Sequence, residues 1–197
     1  MGIYGPGPKL KENFEKICDC TVEFVNAGDS ALLLQKIKIL EKTKIDFVIG
    51  FDQLSLKEAE GEISWQPLLL DHPNWAPEIP KVESEFFAPY DWSPLTFIYR
   101  KQEVSPQSSF FDFLKKSELT KGISLQDPRL STPGQQFLLW AEYLKRGSAE
   151  EFWSLMKPLV HSYSSSWSNS YGLFQRKKAK VTFSYLTSPI YHWKVDQ

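Results

Sequence analysis

Apolar positions recur at helical spacing along parts of this chain and alternate along others. Residues 9–17 place Leu10, Phe14 and Ile17 on one face of a helix. Residues 20–25 alternate instead, with Cys20, Val22 and Phe24 pointing one way, the pattern of a strand. Asp29 or Ser30 then stands as the cap of a helix whose stripe is Leu33, Ile37 and Leu40. The run IDFVIGF at 45–51 is nearly continuous in apolar residues, as in a buried parallel strand. Strand, helix and strand in this order predict a βαβ unit and an α/β fold.

Residues 64–80 are rich in Trp and Pro and read as a long surface loop. Residues 86–100 read as extended with a break at Pro94, and 110–116 as a short helix. In QDPRLSTPGQQFLLW (126–140), Thr132 can cap, Pro133 suits the first helical position and Gln135 can reach back as in a capping box. Phe137, Trp140, Ala141 and Leu144 supply the inward stripe of that helix, which runs to about Lys145. A helix over 150–160 turns Phe152, Leu155, Met156 and Leu159 inward. A serine-rich turn then leads into a short helix by 174, a strand follows at 181–186, and a last helix starts with Ser188 as cap and Pro189 behind it.

Composition narrows the function. Apolar residues at 42% and charged residues at 24% fit a folded chain, and the net charge of −1 argues against nucleic acid as the main partner. No apolar run approaches the ~18 residues of a membrane span. The first residues, MGIYGPGPKLKENFEK, lack the apolar core of a signal peptide. Cys18 and Cys20 are the two cysteines. Their spacing matches neither a zinc site nor a redox CxxC, and bridging residues two apart is geometrically difficult. Two structural thiols are the expected state and a strained disulfide the alternative. No metal site and no cofactor are expected.

Hydroxyl-bearing helix starts recur at Asp29–Ser30, Ser131–Thr132 and Thr187–Ser188. An exposed helix N-terminus offers free N–H groups and the positive end of the helix dipole to an anion. In open α/β sheets such starts gather beyond the carboxyl ends of strands, where ligands sit. If the three converge, in combination with Trp167 and the Tyr185/Tyr191 pair, they make a pocket for a phosphate or another small polar group. Taken singly, each is an ordinary helix cap.

The motifs YGPGP, FEKICDC, DFVIGFD, QDPRLSTPG…LLW, WSNSYGLF and FSYLTSPIYH occur in this order in thiamine-binding periplasmic proteins. The chain resembles that family from about Tyr4 to His192. The resemblance implies an α/β, two-lobed type II periplasmic-binding fold, shortened at both ends, with residues 1–92 as first lobe and 93–197 as second. It implies a thiamine or thiamine phosphate site in the cleft, built from Asp29, Ser30, Ser131, Thr132, Trp167, Tyr185, Leu186, Thr187 and Ser188. Tyr4 stands where the family commonly has Trp, which retains a stacking face. The implied function is ligand capture without catalysis, by a monomer in the periplasm that serves an ABC permease of the inner membrane. The alternatives are a thiamine-degrading enzyme of the same fold with Cys18 or Cys20 as nucleophile, and a shortened remnant that transports nothing.

Overall fold

The structure, a computed structural model, describes residues 6–40, 45–70, 75–79, 82–105, 107, 109–145 and 147–195, without the side chains at 31, 191, 192, 194 and 195. Tyr4 and the side chain of Tyr191, both expected near the ligand, lie outside the described residues.

The first helix, α1 (Gly7–Cys18), starts on Pro6 and stops where Asp19 takes the left-handed conformation at φ 50°. That turn brings the Cα atoms of Cys18 and Cys20 to 5.2 Å and lets the two sulfurs bridge. The expectation of two thiols is therefore corrected: spacing alone disfavoured the bond, and the left-handed residue between the cysteines removes the obstacle. The expected helix is present, and its apolar face of Leu10, Phe14 and Ile17 lies on the surface. Helix α2 (Ser30–Leu40) buries Leu33 and Ile37 of its stripe, with Leu34 beside them, and leaves Leu40 half-buried. Helix α3 (Leu56–Glu62) follows a turn in which the Asp52 carboxylate accepts from the N–H groups of Leu54 and Ser55.

Residues 20–25 and 45–51 form no strand, so the expected βαβ unit is absent among the described residues. Alternation makes a chain extend, but a ladder needs a neighbour to take its N–H and C=O groups. Phe24, Ile45, Phe47 and Ile49 stay exposed beside these unpaired segments. The Trp-rich loop is fastened more firmly than its composition implied. Trp65 donates its indole N–H to the Ala59 carbonyl at 2.8 Å and meets Phe51 and Phe87 edge-on.

Four strands form one sheet: β1 (Leu95–Tyr99), β2 (Ile123–Gln126), β3 (Val160–Ser164) and β4 (Val181–Tyr185), in the order β1-β4-β2-β3. Strand β1 runs antiparallel to β4 from Leu95 opposite Tyr185 to Tyr99 opposite Val181, while β2 is parallel to both β3 and β4. Helices α4 (Phe110–Leu114), α5 (Thr132–Leu144), α6 (Ala149–Met156), α7 (Trp167–Gln175) and α8 (Ser188–Val195) complete the chain.

The sheet has two unlike faces, because side chains alternate along a strand. On one face Ile123, Leu125, Val181 and Phe183 enter a core with Phe137, Phe152 and Met156. Phe97, Phe137 and Trp140 all meet the Phe183 ring within 5.8 Å. The other face carries buried hydroxyls, Ser124, Thr182 and Ser184, and there lies α7.

Candidate functional site

Three helix starts meet at Asp29. The residue precedes α2, yet its carboxylate reaches into the second half of the chain. There Asp29 Oδ2 accepts from the Ser131 hydroxyl at 2.6 Å and from the main-chain N–H of Trp167 at 3.2 Å. Ser131 occupies the N-cap position of α5 and makes no side-chain cap bond of its own. The cap expected from Thr132 thus falls one residue earlier, and the Ser131 hydroxyl binds Asp29 instead of closing the helix. Ser131, Thr132, Pro133 and Gly134 are buried, so this N-terminus is not the exposed anion site that its sequence predicted. The Thr132 hydroxyl oxygen is buried without a hydrogen-bond partner.

Gly134 explains how α5 comes so near. A Cβ placed there would stand 2.7 Å from the Gln126 carbonyl oxygen and 2.8 Å from backbone atoms of Asp127 and Pro128. Only glycine lets the first turn of α5 lie against the end of β2. Outside that turn Arg129 grips Asp127, whose carboxyl the guanidinium holds down at about 2.

Helix α7 starts with two kinds of acceptor on its free N–H groups. Ser166 caps it by accepting from Asn169 N–H at 3.2 Å, and Asp29 takes the N–H of Trp167. An anion at this end also sits favourably in the field of the helix dipole. The indole of Trp167 stacks on Tyr171 at 5.3 Å and 23°, and stands 6.0 Å from the Tyr185 ring. Its Nε1–H donates to Ser184 at 2.9 Å, and Ser184 pairs with Ser188, the first residue of α8, at 2.9 Å.

Tyr185 feels this surrounding charge. Burial is the main cause that pushes its phenol up to about 12, and Asp29, Asp52, Asp91 and Tyr90 add to it. The place is therefore aromatic and anionic at once, the pairing that suits a flat cation.

Of the residues expected at a ligand, Asp29, Ser131, Trp167, Tyr185 and Ser188 are brought into one connected group. Ser30 turns its hydroxyl to the Asp52 N–H at 3.0 Å. Leu186 and Thr187 are exposed, with Thr187 paired to Ser93 at 3.1 Å. Asp52, Asp91, Tyr171 and Ser184 were not singled out from sequence. Tyr171 had a readable signal, standing one helical turn beyond Trp167. An open depression of about 200 Å³ adjoins the group, lined by Ser30, Leu34 and Gln135 among others, but neither Trp167 nor Tyr185 lines it. Among the described residues no three His, Cys, Asp or Glu side chains gather as a metal site.

No family model matches the chain. It is 35% identical to the thiamine-binding periplasmic protein of Brucella abortus over 98% of its own length, and it spans 58% of that relative. The resemblance read from the motifs thus extends over nearly the whole chain. A solved periplasmic thiamin binding protein superposes with a TM-score of 0.84 at 28% identity, over 98% of this chain and 61% of that one. The periplasmic binding protein AfuA from Actinobacillus pleuropneumoniae, with fructose-6-phosphate bound, matches at a TM-score of 0.59 and 16% identity over 91% of this chain and 59% of that one. The α/β fold is that of periplasmic binding proteins.

Proposed function

We propose that this chain captures thiamine or its phosphates and passes them on, without catalysis, to an ABC permease of the inner membrane. The observation that carries the proposal is the Asp29 carboxylate drawing Ser131 and Trp167 together beside the rings of Trp167, Tyr171 and Tyr185. The resemblance to thiamine-binding periplasmic proteins supports it and adds the location, the periplasm.

Thiamine carries a cationic thiazolium and a flat pyrimidine. Stacking and cation–π attraction on Trp and Tyr faces contribute about 0.5–2 kcal/mol each. Asp29, Asp52 and Asp91, which all raise the Tyr185 phenol, give the cation a negative surrounding. The hydroxyl or phosphate end of the ligand suits the Ser131 hydroxyl and the N-terminal N–H groups of α7. Asp29 holds two of those donors, so a phosphate exchanges places with the carboxylate. In this reading residues 1–92 supply Asp29, Asp52 and Asp91, residues 93–197 supply Ser131, Trp167, Tyr171 and Tyr185, and the ligand lies between the two sets.

The alternative, a thiamine-degrading enzyme with Cys18 or Cys20 as nucleophile, calls for a free thiol at one of them. Cys18 and Cys20 are joined to one another, and neither is a free thiol.

Thermal unfolding of the chain with added ligands tests the proposal, because a ligand that binds the folded state raises its melting temperature by mass action. Thiamine and its phosphates are expected to raise it in a saturable way and fructose 6-phosphate to leave it unchanged. A melting temperature indifferent to millimolar thiamine and thiamine phosphates refutes it.

A further inference from the structure

Strand β4 reads V-T-F-S-Y, and its alternation sends Thr182 and Ser184 to the side of the sheet where α7 lies. Both hydroxyls are fully buried, and each meets α7 at a different residue. Thr182 pairs with Ser170 at 3.2 Å, and Ser170 also pairs with Ser124 of β2 at 2.8 Å. Ser184 has another task, accepting the indole N–H of Trp167 at 2.9 Å. An indole N–H only donates, whereas a hydroxyl can accept and donate together. Ser184 therefore also reaches Ser188 at 2.9 Å, and one chain of hydrogen bonds joins the starts of α7 and α8 through the strand.

Ser170 already anchors α7 to the sheet, so the Ser184 bond adds something separate. A tryptophan on the first turn of a helix has two side-chain torsions to fix. Tyr171 restrains the plane by stacking, and the Ser184 bond sets the rotation about it. We propose that Ser184 is a positioning residue, whose hydroxyl holds the Trp167 indole at the angle at which the ligand stacks. The proposal rests on the reading of Trp167 as a ligand-stacking ring. Ser184 itself is buried and acts through that ring.

The test uses the whole chain with ¹⁵N-labelled tryptophan. The Trp167 indole N–H signal is assigned by its loss in Trp167→Phe. Ser184→Ala is expected to shift that signal, speed its exchange with solvent and weaken thiamine binding roughly three- to tenfold. Ser170→Ala, which removes a buried hydroxyl from the same helix, is expected to lower stability and leave the signal in place. In the Trp167→Phe background, Ser184→Ala is expected to change affinity less than about twofold, since no indole N–H remains to be held.

An unmoved Trp167 signal in Ser184→Ala overturns the proposal. So does an equal loss of affinity with and without the indole N–H. Should Ser184→Ala fail to fold, exchange in the unmodified chain decides: the Trp167 indole N–H must exchange more slowly than those of the exposed Trp75 and Trp92, and equal rates overturn the proposal. If the unmodified chain takes up no thiamine, the functional reading falls, while the signal still decides whether Ser184 holds the ring.

Discussion

Asp29 concentrates more of the molecule's organisation than any other side chain at the site. Its Oδ2 satisfies the fully buried Ser131 hydroxyl and an N–H at the start of α7. Removing a partner from a buried donor costs more than the bond itself gains, because the donor is left without water or protein. Asp29→Ala is expected to destabilise the chain by about 1–3 kcal/mol, read from urea unfolding. Asp29→Asn keeps an acceptor oxygen and is expected to cost less. It should also shift preference from thiamine towards its phosphates, since the charge that competes with phosphate is gone. Equal stability in all three proteins contradicts this role. Tyr185 offers a test of the surrounding charge. Its phenol, raised from 10.0 to about 12 by burial and neighbouring carboxylates, keeps its proton longer when folded than when unfolded. The stability linked to it is complete below about pH 10 and is lost as pH rises from there to about 12. Urea midpoints across that interval should fall in the unmodified chain and fall less in Tyr185→Phe; the same decline in both assigns the loss elsewhere.

At the scale of elements, α5 shows what a sequence reveals and what it conceals. The apolar spacing of Phe137, Trp140, Ala141 and Leu144 located the helix and its inward face, because both depend on neighbours within the helix itself. The cap was misplaced by one residue, since the partner of Ser131 lies a hundred residues away at Asp29. Strands β2 and β3 were passed over for similar reasons. Ser124 and Gln126 interrupt the apolar pattern of β2, yet both are buried, bonded to Ser170 and to the Phe183 carbonyl. Strand β3 lies at the sheet's edge with His161 and Tyr163 exposed, and its serines resemble a turn. Residues 20–25 and 45–51 erred the other way: the alternation of the first and the apolar run of the second were real, and their pairing was absent. Of the site, Asp29, Ser131, Trp167, Tyr185 and Ser188 were readable as helix starts and displaced aromatics. Ser184 was hidden inside a strand, where a serine carries no signal until its partner is known. Gly134 is the element-scale test. Gly134→Ala drives a methyl group into backbone at 2.7 Å, and backbone there cannot give way cheaply. The expected loss is about 1–3 kcal/mol in thermal unfolding, and an unchanged melting temperature contradicts the close approach of α5 to β2.

Across the whole molecule, the division of the sheet into an aromatic face and a hydroxyl face explains where binding chemistry can exist. The aromatic face, with Phe97, Phe137 and Phe183, is committed to packing. The hydroxyl face holds α7 in a fixed rotation and so presents Trp167 beside Tyr185 and Asp29. Asp29 comes from the first part of the chain, and its carboxylate is the one bonded to the start of α7 beside these rings. The chain spans 58% of the length of its Brucella relative, and binding by these 197 residues themselves is therefore the point to establish. The most direct measurement is calorimetric titration of thiamine into the chain and into its Trp167→Ala and Tyr185→Ala variants. A saturable isotherm with one ligand per chain is expected, weakened by about 1–3 kcal/mol in each variant. No binding heat up to millimolar thiamine, or the same affinity in all three proteins, contradicts a thiamine site at Asp29, Trp167 and Tyr185.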